Sequence, residues 1–203
     1  MSSLEAALRR IASDLTAMKR NWALVGGLAV SARAEPRRTR AVDVVVSVED
    51  DASAEGLVLE LQAKGYAVLT ALEQQAVARL ATVRMVSPGS SEHGIVVDLL
   101  FASSGIEADV ADRAEQLEIL PGLVVPVARV SDLMALKVLA RDDRRRPQDL
   151  DDLRALLREA KESDIDETKT ALRNIEARGY HRERRLVDLF EACLSDERPR
   201  SER

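Results

Sequence analysis

The 203-residue sequence has a single cysteine, Cys193, so no disulfide can close within the chain. A reducing, cytoplasmic setting is therefore expected. Aromatic residues make up only 2% of it, which argues against nucleic-acid binding on stacking platforms. No uninterrupted apolar run approaches membrane-spanning length. The opening "MSSLEAALRRIASDL" is charged and amphipathic, unlike a signal peptide. An overall basic charge is missing too: the formal net charge is −5, which gives no global pull toward nucleic acid. His93 and His181 lack an acid or cysteine at metal-ligand spacing and are read as incidental. There is no internal repeat and no low-complexity linker. These absences leave one soluble domain, or a domain with a helical appendage, long enough to bury a core without staples.

Periodicity supplies the elements. Leu4, Leu8, Ile11, Leu15 and Met18 recur at helical spacing. "WALVGG" reads as a short strand reaching a glycine pair, followed by a helix through "LAVSARA" that Pro36 ends. Trp22 is expected to pack against the first helix. "AVDVVVSV" is a strand buried on both faces. "DASAEGLVLELQAKG" is a helix ending at Gly65. "YAVLT" and "VARLATVRMV" are strands, and the turn chemistry of "SPGSSEHG" joins the second to "IVVDLLFAS" as a hairpin. A short helix near Glu107 to Gln116 and an extended "LVVPVA" come next. Ser131 or Asp132 is expected to cap a helix through "LMALKVLARDD", and Pro147 to open another. Two more helices reach about Leu194, with Cys193 as a small buried residue, before a charged tail expected to be disordered. The expected fold class is α+β: a mixed sheet with flanking helices over residues 1–130, a helical region over 131–196 packed on it, and a tail from 197.

One carboxylate interrupts each of two apolar strands, Asp43 and Asp98. Burying a carboxylate costs several kcal/mol unless a positive charge compensates it. If the strands pair, a divalent cation between the acids would serve, since carboxylates and water suit Mg²⁺. Equally, each acid could sit solvated at a strand end or meet an arginine. Gly26 and Gly27, opening a helix, could hold phosphate on backbone N–H groups, or simply make a tight bend. Arg33, Arg37, Arg38 and Arg40 cluster before the first acid, and Arg141, Arg144, Arg145 and Arg146 cluster later. Both groups fit phosphate contacts or solvated surface.

Taken in order, these pieces resemble the nucleotidyltransferase superfamily, the DNA polymerase β-like enzymes. "VGGLAVSARAEPRRTRAVDVVV" carries the resemblance. More narrowly, it is similar to the AbiEii-type nucleotidyltransferase toxins and their bacterial relatives. Those show Gly-Gly, then Arg-x-Thr-x-Asp-x-Asp, a later Asp strand, a Leu-x-x-x-Lys helix, and an Arg/Asp segment. The matching residues here are Gly26 and Gly27, Arg37 and Thr39, Asp43, Asp98 in "VVDLLFA", Lys137 in "DLMALKVLA", and Arg144 to Asp149 in "RRRPQD". The likeness spans roughly residues 20 to 157, and the last helices match nothing.

The resemblance implies an NTP substrate, a two-ion Mg²⁺ site and transfer of a nucleoside monophosphate to a hydroxyl. Asp43 and Asp98 would be metal ligands, with Asp98 helping to activate the nucleophile. Gly26, Gly27, Arg37, Thr39, Lys137 and Asp149 would form the nucleotide side, although Thr39 also suits a turn, Lys137 a surface and Asp149 a helix start. A tRNA end or a protein side chain would be the acceptor, and an antitoxin the partner. One position departs: the first Asp of the pair falls on Ala41, and a methyl group ligates nothing. Natural loss and deliberate replacement of the carboxylate both explain it. Either way the expected metal site is weakened and transfer impaired; the alternative is a degenerate module that binds nucleotide or a partner without catalysis.

Overall fold

In the computed structural model, residues 2–75, 77–89, 94–142 and 147–197 are described. The apolar stripe of the N-terminal segment forms helix α1 (Ser3–Ala17), with Ser2 Oγ accepting from the Glu5 N–H at 3.1 Å as its cap. The chain then forms β1 (Trp22–Val25), α2 (Gly26–Arg33), β2 (Ala41–Val46), α3 (Asp51–Ala63), β3 (Ala67–Gln74), β4 (Arg79–Val86) and β5 (Val96–Leu100). It continues through α4 (Glu107–Arg113), β6 (Glu115–Leu120), β7 (Leu123–Val127), α5 (Val130–Ala140), α6 (Pro147–Glu159), α7 (Glu162–Ala177) and α8 (Leu186–Glu197).

The strands form one mixed sheet in the order β3-β4-β5-β2-β1-β7-β6. β2 runs antiparallel to β1 and parallel to β5, which β4 borders antiparallel. β2 lies central because Val42, Val44, Val45 and Val46 are fully buried, as a strand covered on both faces requires. α1 and α4 pack on β2, and α2 packs on β1, β2, α5 and α6. The α+β mixed-sheet class read from the sequence is the one observed. One apolar cluster runs from Leu8 through Val44 and Leu133 to Phe190, so sheet and C-terminal helices share a core.

Several boundaries differ from the sequence reading. The helix expected to reach Gln116 stops at Arg113, because Leu117 and Ile119 alternate with exposed Gln116 and Glu118 and pair as β6 with β7. Neither Ser131 nor Asp132 caps α5. Arg129 holds that position, while the Ser131 hydroxyl donates to Glu167 Oε2 at 2.9 Å and Asp132 meets Arg113 at 2.5 Å; tertiary partners have taken both side chains. α8 extends to Glu197, whose carboxylate meets Arg154 at 2.8 Å. The tail residues 198–203, with His93, Asp143, Arg144, Arg145 and Arg146, lie outside the described residues.

Candidate functional site

The site begins where β1 passes directly into α2. Gly26 has φ +64°, and a Cβ built there would lie 2.0 Å from Asp43 Oδ2. At Gly27 a Cβ would come within 2.6 Å of Arg37 Nη2 and 2.9 Å of Thr39 Oγ1. The glycine pair is thus a close approach: a carboxylate and a guanidinium rest where side chains would otherwise be. Val25, at the N-cap of α2, supplies no side-chain cap. The positive end of this short helix is therefore set beside Asp43. Ser31 pins the following segment by donating to Gly27 O at 2.9 Å and accepting from the Arg37 N–H at 3.2 Å. Thr39 Oγ1 donates to Ala41 O at 3.4 Å, a turn contact.

Arg37 leads into a chain of charges on the helical side. Its Nε lies 2.6 Å from Asp152 Oδ1, and its Nη2 donates to Asp152 Oδ2 at 2.9 Å. Asp152 also meets Lys137 Nζ at 2.7 Å, and Lys137 donates to Asp149 Oδ1 at 2.7 Å. Lys137, Asp149 and Asp152 are all buried. Lys137 is therefore no surface lysine: α5 inserts it between two carboxylates of α6. Asp152 was missed in the sequence; its only signal is its place three residues after Asp149, on the same helix face.

Asp43 and Asp98 are register partners on β2 and β5, so the two acids do stand side by side on one face. The cation found with them is an arginine. Arg84, opposite Asp98 on β4, donates from Nε to Oδ1 and from Nη2 to Oδ2, both at 2.8 Å. Those hydrogen bonds and the charge of Asp98 hold the guanidinium above the usual arginine range against partial burial, and Asp43 adds to the effect. Sequence reading missed Arg84, which looks like any outward residue of an alternating strand. Ala41 lies two residues before Asp43 on the same face and offers a methyl group. Among the described residues, no group of three or more histidine, cysteine or acidic side chains could hold a metal ion. The described residues do not fit a two-ion centre: Ala41, where the resemblance would place a first carboxylate, offers carbon, and both oxygens of Asp98 accept from Arg84.

The remaining arginines divide. Arg33 clamps α2 to the sheet, donating to Ala128 O at 3.0 Å, Val127 O at 3.1 Å and Glu115 at 2.7 Å. Arg38 and Arg40 are exposed in the segment between α2 and β2. Arg141 donates to the sulfur of buried Cys193 at 2.8 Å. A cleft of about 210 Å³ behind Arg37 and Asp152 is lined also by Glu35, Arg154 and Arg158. Among the described residues no helix is long and apolar enough to cross a membrane.

The fold is shared with solved structures at low identity. A nucleotidyltransferase-like antigenic protein from Paracoccidioides brasiliensis matches with TM-score 0.54 and 18% identity, over 94% of this chain and 93% of that one. ANT(2")-Ia in complex with adenylyl-2"-tobramycin matches with TM-score 0.53 and 13% identity, over 96% and 99%. Comparison with curated protein sequences gives no significant match. The model of the nucleotidyl transferase AbiEii toxin of type IV toxin–antitoxin systems matches residues 7–202, and the chain belongs to that nucleotidyltransferase family.

Proposed function

We propose that this chain binds an NTP against the Gly26–Gly27 turn and Arg37, and that in its present form it transfers the nucleoside monophosphate slowly or not at all. Membership of the family supports the NTP, and typically a divalent ion with it. The observation that carries the location is the close packing of Asp43, Arg37 and Thr39 on the two glycines. The N-terminus of α2, which the Val25 side chain does not cap, and a guanidinium there suit a triphosphate. Asp152 holds Arg37 in place and is itself paired with Lys137, which also meets Asp149, so the nucleotide contacts the resemblance implies for Lys137 and Asp149 would lie directly behind Arg37.

Transfer joins the acceptor oxygen to the α-phosphorus, breaks the bond to the bridging oxygen, and releases pyrophosphate; the acceptor proton must pass to a base. Asp98 is the carboxylate for that role, and its oxygens already accept from Arg84. With Ala41 in place of the first carboxylate, the means of gathering charge at the α-phosphate is missing as well. The acceptor we propose is a tRNA end or a protein hydroxyl in the cytoplasm, with the protein acting as a toxin restrained by an antitoxin. The grip of Arg84 on Asp98 favours a second reading: a non-catalytic module that binds nucleotide or a partner.

The chain and its Ala41→Asp variant, each incubated with Mg²⁺, labelled NTPs and either total RNA or no acceptor, separate the two. Label in RNA or in the protein with the variant alone establishes transfer and its acceptor class. Silence from both, with NTP bound by both, leaves the binding module.

A further inference from the structure

Three charged side chains form one row across the centre of the sheet: Asp43 on β2, Asp98 on β5 and Arg84 on β4, paired by register. Neighbouring strands run about 4.8 Å apart, so two carboxylates in such a row repel unless a cation joins them. Asp98 is only 7% exposed, which makes compensation compulsory for it. Arg84 supplies that compensation as a two-pronged fork, each nitrogen 2.8 Å from its own oxygen. The charge of Asp43 also acts on Arg84. The next residue of β2 on this face, Ala41, contributes no donor, and its register partner is Val96.

We propose that Arg84 is the resident cation of this site: it satisfies Asp98 and screens Asp43, so the folded chain requires no divalent ion, and an ion reaches Asp98 only by displacing the guanidinium. The competition is unequal. A small hard cation needs a shell of oxygen ligands. Among the described residues it would find two carboxylates here, one of them already held by a side chain that cannot give up its proton. Arg84 thereby sets the ion preference of the site, a role independent of whether nucleotide binds.

The test contains no nucleotide, so its failure is separate from failure of the proposed function. Mn²⁺ is titrated into the chain, Arg84→Gln, Arg84→Lys and the double variant Arg84→Gln/Asp98→Asn, with free ion followed by electron paramagnetic resonance. Melting temperatures are taken in EDTA and in Mn²⁺. The unaltered chain should bind no Mn²⁺ below about 1 mM and melt at the same temperature in both. Arg84→Gln should melt lower in EDTA, recover in Mn²⁺, and bind the ion at least about tenfold more tightly. Arg84→Lys, keeping charge without the fork, should fall between. The double variant should lose the Mn²⁺ response and regain part of the lost melting temperature. Tight Mn²⁺ binding by the unaltered chain overturns the proposal, as does an Arg84→Gln protein that melts as the original does in EDTA. Should Arg84→Gln not fold, the double variant decides: recovery of folding supports the proposal, and a double variant that stays unfolded refutes it.

Discussion

Gly26 and Gly65 both have positive φ, +64° and +96°, yet the space around them differs. A Cβ at Gly65 meets Pro88 no closer than 3.3 Å, whereas at Gly26 it would overlap the Asp43 carboxylate. Gly65→Ala should therefore cost about 1 kcal/mol, from the strain of a left-handed alanine and a shift of Pro88 by a few tenths of an ångström. Gly26→Ala should cost about 2–4 kcal/mol, because the carboxylate or the turn must also move. Urea unfolding of both variants checks the difference; equal losses would mean that Asp43 does not rest on this turn. At this scale the sequence was informative where a residue type is rare in its setting. A lone acid in a valine run and a glycine pair before a helix stood out. Arg84 did not, since an arginine on an alternating strand is ordinary and its partner is fixed only by cross-strand register.

α5 and α6 are tied together by Lys137 with Asp149 and Asp152, and α6 is tied to the loop before β2 by Asp152 with Arg37. Removing the lysine leaves the negative charge of two buried acids without the cation between them. Lys137→Met should lose about 3–5 kcal/mol. Adding Asp149→Asn should restore more than about 1 kcal/mol of it, the sign of direct coupling. Chemical denaturation of the single and double variants measures both, and strict additivity would contradict the network. The strands and helices of the first hundred residues were legible because their apolar periods are clean. β6 was not: "EQLEIL" is short, half-exposed and at the sheet edge, so its period of two is carried by Leu117 and Ile119 alone. Asp152 was hidden for the opposite reason, since α6 is strongly amphipathic and acids are expected on its outer face.

Across the whole molecule, the helical region is also joined to the sheet side through Asp132 of α5 and Arg113 of α4. Burial pushes the Asp132 carboxyl up to about 6, and the charges of Arg113 and Arg129 only partly oppose this. A carboxyl raised in the folded state lends stability that is complete below its unfolded value near 3.8 and is lost as pH rises through about 6. Between pH 4 and pH 7 the chain should lose about 2 kcal/mol relative to Asp132→Asn, which has no such titration. Unfolding of both proteins at the two pH values tests this; a constant difference would mean that Asp132 stays charged throughout. Tyr66 and Asp14 form another buried link, between α3's end and α1, through a 3.0 Å hydrogen bond. Burial and the neighbouring Asp14 charge raise the Tyr66 hydroxyl, while Asp14 is lowered: burial opposes, but hydrogen bonds from Arg10, Tyr66 and Lys64 prevail. The overall class was readable because the order of elements implies a mixed sheet followed by helices. How the two halves lock was not, because it rests on pairs distant in sequence, such as Arg37 with Asp152.

The most direct measurement is calorimetric titration of the four NTPs into this chain and into Gly27→Ala. Gly27 lies inside α2, so the added methyl group meets Arg37 and Thr39 without demanding an unusual backbone. The expected result is binding of at least one NTP by the chain with Ala41 in place, weakened at least about tenfold in a Gly27→Ala protein of unchanged circular dichroism. Equal binding by both folded proteins, or no binding of any NTP by the unaltered chain, would contradict a nucleotide site at the glycine turn.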